Sequence, residues 1–388
     1  MKYNFDKLTD RTKQNSLKWD IKENELPMWV ADMDFEVAEP IVNALNNRLN
    51  QKIFGYNIIP SSWYDSIISW WERKHHYLMK KEDILFSTGV VPSISSVVRR
   101  LTLPAENVLI QTPVYNIFFN SIINNGRNVL ESKLVYENNK YHIDFDDLEQ
   151  KLKLPQTRLM ILCNPHNPIG KIYTKEELAK IGHLCYIHNV IILVDEIHCD
   201  IVDPDKEYNV FQNINDECKY NSIMCGAPTK CFNLAGLQTS FMCIPNKDIF
   251  NRVNRGINND EIAEPNTFAI QACEAAFNES EDWLKQMQQY IYENKIIVKN
   301  FILDNNLPVF LIEGEATYLL WIDCSKICFD TDELCDFIRE KTGLYLSSGK
   351  QYGESGKSFI RMNIACPKTR LNDGLNRFKL GINLYLNR

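Results

Sequence analysis

The chain has 388 residues, 45% of them hydrophobic, and a net charge of −7, a balance suited to a soluble fold of two or three domains. Its Lys and Arg are scattered without a basic run and no apolar stretch approaches bilayer-spanning length, so neither a nucleic-acid footprint nor a membrane anchor is expected. The opening "MKYNFDKLTDRTK" is charged throughout and lacks a signal peptide's apolar core, making the cytoplasm the expected compartment.

The first chemical signal in chain order is "DILFSTGVVPSISSVVRRL", residues 83–101. It reads as strand, small-residue turn and helix, with Ile94, Val97, Val98 and Leu101 on the buried face. Gly89, Val90 and Val91 would then offer free backbone N–H groups at a helix N-terminus, an arrangement suited to phosphate. One glycine is too few for a P-loop or a dinucleotide fingerprint. Further β-branched runs follow, "NVLIQT", "RLMILCN", "VIILVDE", "NSIMCGA" and "TSFMCIP". Their alternation with helical patterns predicts an α/β fold, a mostly parallel sheet sandwiched by helices. One of those helices is announced by Thr174 with Glu177 three residues later, and Leu178, Ile181, Leu184 and Cys185 lie on one face.

Ligands of such sheets bind beyond the carboxyl ends of the strands, and chemistry-bearing residues cluster at those ends here. In "CNPHNPIGK" two Asn-Pro steps force a turn that presents the Asn167 amide. Asp195 ends an almost wholly apolar strand, where a carboxylate is expensive unless it meets a cation, and His198 follows on the exit turn. In "GAPTKCFNLAGLQTSF" a single ammonium, Lys230, stands among small and apolar residues. An ion-paired lysine at a strand end would look the same, but a buried, neutral lysine is also a Schiff-base nucleophile.

Beyond about residue 280 a long helical stretch precedes the strands "ATYLLWID" and "SFIRMNIA", with the helix "TDELCDFIREKTG" between them. The expected division is a large α/β domain over 46–282 and a smaller α+β domain over 283–388, which residues 1–45 join. On its residues alone, Arg361 is a solvent-facing strand residue. The 12 cysteines are spread singly, and Cys324, Cys328 and Cys335 fit no zinc spacing, so they are read as reduced structural thiols with no metal.

A phosphate cradle, an amide, a buried acid and a buried lysine at successive strand ends match the needs of pyridoxal 5′-phosphate, which wants a Schiff-base lysine and an acid on its ring nitrogen. With "KWD", "LPMWVADMDF", "IFGY", "FSTGVVPSISS", "IQTPVY", "ILCNPHNPIGK", "VDEIHCD", "APTKCFNLAGLQ" and "FIRMNIACP", the chain resembles the MalY/PatB type of cystathionine beta-lyase, or C–S lyase, within the class I/II aminotransferase superfamily of fold-type-I pyridoxal-phosphate enzymes. The resemblance implies that Lys230 holds the cofactor, Asp195 pairs its ring nitrogen, Asn167 bonds its ring hydroxyl oxygen with His198 nearby, and Tyr115 stacks on the ring. Val90, Val91, Thr229 and Gln238 would serve the phosphate, Tyr56 would reach it from the neighbouring subunit of a homodimer, and Arg361 would grip the substrate carboxylate. Two positions depart from the wider aminotransferase pattern: Ala227 replaces a common Ser, and Gln238 replaces a common Arg. Gln238 fits the lyase branch. The implied reaction is α,β-elimination on a small sulfur-containing amino acid, cystathionine or cysteine. An aminotransferase and a cofactor-bearing regulatory protein are the alternatives.

Overall fold

The computed structural model describes residues 2–388. Its centre is a seven-stranded sheet in the order 84–87, 240–243, 222–226, 191–195, 157–163, 107–112, 128–133. Six strands are mutually parallel, and Ser240–Cys243 runs antiparallel to both of its neighbours. The expected sheet is therefore present, with "TSFMCIP" as its reversed member. That reversal matters for the site, because it brings the residues preceding Ser240 to the same edge as the carboxyl ends of the other strands.

Side chains alternate across each strand, and the two faces are sealed separately. Val108, Ile110, Leu159, Ile161, Leu193 and Ile223 pack against Ile94, Val97 and Val98 of the helix Val90–Leu101 and Ile249, Val253 and Ile257 of the helix Lys247–Asn259. Leu109, Met160, Leu162, Ile192 and Val194 pack against Leu148, Leu178, Ile181 and Cys185. The last three belong to the helix Lys175–Ile187, whose entry carries the full capping box of Thr174 and Glu177. Burial on both faces is why these strands read as continuous apolar runs.

The C-terminal part is a four-stranded antiparallel sheet ordered 310–311, 319–323, 359–363, 347–348. The helix Thr331–Thr342 packs against the helix Lys368–Leu386 beside it. Leu26–Pro27 pairs in parallel with Leu344–Tyr345, tying the N-terminal segment to this part. A backbone clamp joins the two sheets: the Gly170 carbonyl accepts from the Glu315 and Ala316 N–H groups at 2.8 and 3.0 Å. Gly170 sits at φ +67°, and a Cβ there would lie 2.9 Å from the Ala316 carbonyl oxygen; only glycine permits the approach. All 12 cysteines are free thiols, and all but Cys328 are buried. Among the described residues no helix is long and apolar enough to cross a membrane.

Candidate active site

The carboxyl edge of the seven-stranded sheet opens into a cavity of about 240 Å³ lined by Gly89, Val90, Val91, Tyr115, Asn167, Asp195, His198, Lys230 and Gln238, together with Ala31, Cys163 and Ile197. Strand geometry explains the convergence. The strands ending at Ser87, Thr112, Cys163, Asp195 and Gly226 all terminate on this edge, and the reversed strand begins there just after Gln238.

At one end, Gly89 caps the helix Val90–Leu101 with no side chain of its own. The first-turn N–H groups of Val90 and Val91 therefore have no intrahelical acceptor and sit at the positive end of the helix dipole. Gln238, held at φ +51°, lines the same cavity. Thr229 is buried one residue before Lys230, outside the cavity lining.

At the other end, Asp195 is buried and accepts one hydrogen bond, from the Ile197 N–H at 3.1 Å. Among the described residues no cation lies within 4.0 Å of it. Burial raises its pKa to about 6, against the opposing pull of the Ile197 N–H and of Lys230. Burial also holds the neighbouring His198 neutral, near 3, with Lys230 and Arg361 adding to the effect. The His198 Nδ1 is buried without a partner.

Lys230 retains some exposed surface, but that surface faces the cavity rather than bulk water. Its pKa is lowered to about 8, chiefly by desolvation with the Arg361 charge adding to the effect, while Asp32 and Asp195 oppose the change. Its Nζ donates to the Ala31 carbonyl at 2.7 Å. The amine therefore loses its proton far more readily than an ordinary lysine, as a nucleophile or base requires.

Arg361 corrects the expectation drawn from its strand alone: it is buried, 5% exposed. Its Nη1 donates to Asn167 Oδ1 at 3.2 Å and its Nη2 to the Trp29 carbonyl at 2.9 Å, and the guanidinium lies 4.9 Å from the Tyr352 ring centroid. The Arg361 Nε has no partner, and no carboxylate among the described residues neutralises the group within 4.0 Å. Of the predicted residues, Thr229, Arg361 and Tyr56 are not part of the cavity lining; the first two are buried, and Tyr56 is fully exposed to solvent.

A larger cavity, about 620 Å³, opens elsewhere between the two parts of the chain. Its Lys171, Lys206, Lys295 and Lys299 are each paired with a carboxylate, of Glu177, Glu315, Asp203 and Glu313. It lacks the unpaired buried groups that mark the smaller one.

The family model for "Aminotransferase class I and II" matches residues 31–378. The chain belongs to that family. Within it, the chain is 37% identical to cystathionine beta-lyase PatB of Bacillus subtilis (strain 168), over 98% of this chain and 100% of the relative. Cystalysin of Treponema denticola, solved with a pyridoxal 5′-phosphate cofactor, superposes with a TM-score of 0.96 at 30% identity, covering 99% of each chain. The pyridoxal-phosphate-bound C–S lyase of Staphylococcus hominis gives 0.91 at 30% identity, covering 98% of each. These matches put the chain in the MalY/PatB-type branch of the family. The cavity suits that cofactor on its own terms: a buried carboxylate without a cation, first-turn amides without acceptors and a lysine of lowered pKa occupy separate walls of one small space.

Two residues at this site carried no role in the sequence. Ala31 lies inside the quoted "LPMWVADMDF", but a backbone carbonyl leaves no compositional mark. Tyr318 lies in a strand read only as part of the smaller domain; its hydroxyl also donates to the Ala31 carbonyl, at 3.1 Å.

Proposed function

We propose that this chain is a pyridoxal-phosphate-dependent C–S β-lyase that eliminates a thiol from a small sulfur-containing amino acid. The observation that carries the reading is Asp195, a buried carboxylate without a cationic partner that shares its cavity with the depressed lysine Lys230. When bound, the cofactor supplies a protonated pyridine ring that accepts the electrons left on the substrate's α-carbon. Asp195 keeps that ring nitrogen protonated, since a neighbouring cation lets the buried carboxylate ionise. Tyr115 would cover the ring, Asn167 would bond its hydroxyl oxygen with His198 alongside, and Val90, Val91, Thr229 and Gln238 would hold the phosphate. Lys230 would anchor the cofactor, and its free amine would take the substrate's α-proton. Arg361 receives the substrate carboxylate, for which its uncompensated guanidinium is suited. Proton removal by Lys230 would prepare the loss of a thiolate from the β-carbon; the thiolate takes up a proton, and water hydrolyses the remaining aminoacrylate, so cystathionine or cysteine with one water would yield homocysteine or hydrogen sulfide, pyruvate and ammonia.

The reading includes a cytoplasmic homodimer. Tyr56 stands fully exposed in an irregular segment with Ile53, Phe54 and Ile58, which are 75%, 56% and 81% exposed; so much apolar surface in one short stretch suits burial by a second copy, with Tyr56 reaching the neighbouring phosphate site. It also includes the division into 1–45, 46–282 and 283–388, supported by the pairing of Leu26–Pro27 with Leu344–Tyr345.

The test supplies cystathionine or cysteine to the holoenzyme without any keto acid. Steady release of pyruvate and thiol is expected; turnover that requires an added keto acid would refute the lyase and establish an aminotransferase.

A further inference from the structure

The segment Trp29–Met33 crosses the site with all five of its carbonyls held by side chains. Trp29 accepts from Ser347 Oγ and Arg361 Nη2 at 3.1 and 2.9 Å, and Val30 from Asn363 Nδ2. Ala31 accepts from Lys230 Nζ and Tyr318 OH at 2.7 and 3.1 Å. Asp32 accepts from Lys18 Nζ and Asn363 Nδ2 at 3.1 and 2.7 Å, and Met33 from Arg11 Nη1 and Asn233 Nδ2 at 3.0 and 3.1 Å. Both lone pairs of the Ala31 oxygen are therefore in use, one by the amine and one by the phenol.

Tyr318 is aimed at that oxygen by its surroundings. It is completely buried, and its ring stands nearly edge-on to His198 with 6.2 Å between centroids. The preceding Thr317 adopts φ +67°, an outlying conformation for a β-branched residue. It is held there by the Thr317 N–H donating to the Ile201 carbonyl at 2.7 Å, next to the interdomain clamp at Gly170. Backbone strain of this kind persists where the surroundings over-determine it, and its effect here is to turn the phenol toward Ala31.

We propose that Tyr318 is a positioning residue for Lys230, acting through the Ala31 carbonyl. The phenol fixes the direction of that oxygen, and the amine, when not covalently engaged, is held where the oxygen points. When Lys230 leaves to bond the cofactor, the phenol still satisfies the carbonyl, so the acceptor waits in place for the amine's return. The inference rests on the reading of Lys230 as the cofactor-linking lysine.

The test compares cofactor-free wild type with Tyr318→Phe, which removes one oxygen atom and leaves the ring. In the linking reaction the Lys230 nitrogen adds to the aldehyde carbon of pyridoxal 5′-phosphate, a carbon–nitrogen double bond forms, and the aldehyde oxygen leaves as water with the two amine hydrogens. Its rate is read from the visible absorbance. Capture by Tyr318→Phe should slow roughly fivefold, the worth of one hydrogen bond. Pyridoxamine 5′-phosphate, which has no aldehyde and cannot link to Lys230, should bind both proteins equally. Equal losses for the two ligands would reduce Tyr318 to a structural role, and unchanged or faster capture would remove it from the site; either overturns the proposal. Failure of wild type itself to capture the aldehyde would instead overturn the cofactor reading.

Discussion

Asp195 lends itself to a quantitative test in cofactor-free protein. With a folded-state pKa raised from 3.8 to about 6, the folded chain keeps the Asp195 proton over a pH range in which the unfolded chain has released it. That retained proton favours the folded state at low pH, and the advantage is lost as pH rises through about 6. The full difference corresponds to about 3 kcal/mol, of which about 1.3 kcal/mol falls between pH 5 and pH 7. Asp195→Asn is nearly isosteric and does not titrate, so its stability relative to wild type should grow by about that amount over the same interval. Urea unfolding of the two cofactor-free proteins at matched pH values measures it, with the other titrating groups cancelling in the difference. Adding pyridoxal 5′-phosphate should reverse the ranking, because only the carboxylate gains from a cationic ring nitrogen. A variant-minus-wild-type difference that is flat in pH, or that shrinks as pH rises, would refute the claim that Asp195 is an uncompensated buried acid.

Two further outcomes follow from the geometry. Arg361→Lys keeps the charge but loses the planar fork, and should raise KM for amino-acid substrates about tenfold or more while leaving the cofactor's absorbance band in place; steady-state kinetics with a parallel spectrum checks this. Lys230→Ala and Tyr56→Ala are each expected to be inactive alone, but if Tyr56 serves the neighbouring subunit, hybrids of the two contain one intact site. Random re-pairing of equal amounts should then restore about a quarter of the wild-type rate, and no recovery after demonstrated subunit exchange would place Tyr56 outside the neighbour's site.

The parts of the site legible in the sequence are those whose chemistry and context lie within a few residues of each other. Asp195 ends an apolar strand, and Asn167 and Lys230 each lie four residues beyond one, so the strand-and-turn pattern places them on the sheet's carboxyl edge without knowledge of the rest of the chain. Arg361 was misread because its burial is decided by Asn167, 194 residues away, and by the Trp29 carbonyl, 332 residues away. Ala31 and Tyr318 were not visible for the same reason: their meeting at one oxygen depends on residues 287 apart, brought together by the pairing of the N-terminal segment with the C-terminal part. The direction of Ser240–Cys243 was equally out of reach, since an apolar strand buried on both faces reads the same in either orientation.

The electrostatics of the cavity also link substrate binding to the chemistry proposed for it. Lys230 feels three charges, with Asp32 and Asp195 favouring its protonated form and Arg361 opposing it. The Arg361 guanidinium has no carboxylate partner in the chain, so its repulsion of the lysine is unrelieved until a substrate brings one. A substrate carboxylate seated on Arg361 cancels that repulsion and makes Lys230 a stronger base when it must accept the α-proton. With the proposed roles of Arg361 and Lys230, an amine without a carboxylate would lose the grip of Arg361 and leave the lysine less basic, so the site would select amino acids at the proton-transfer step as well as at binding.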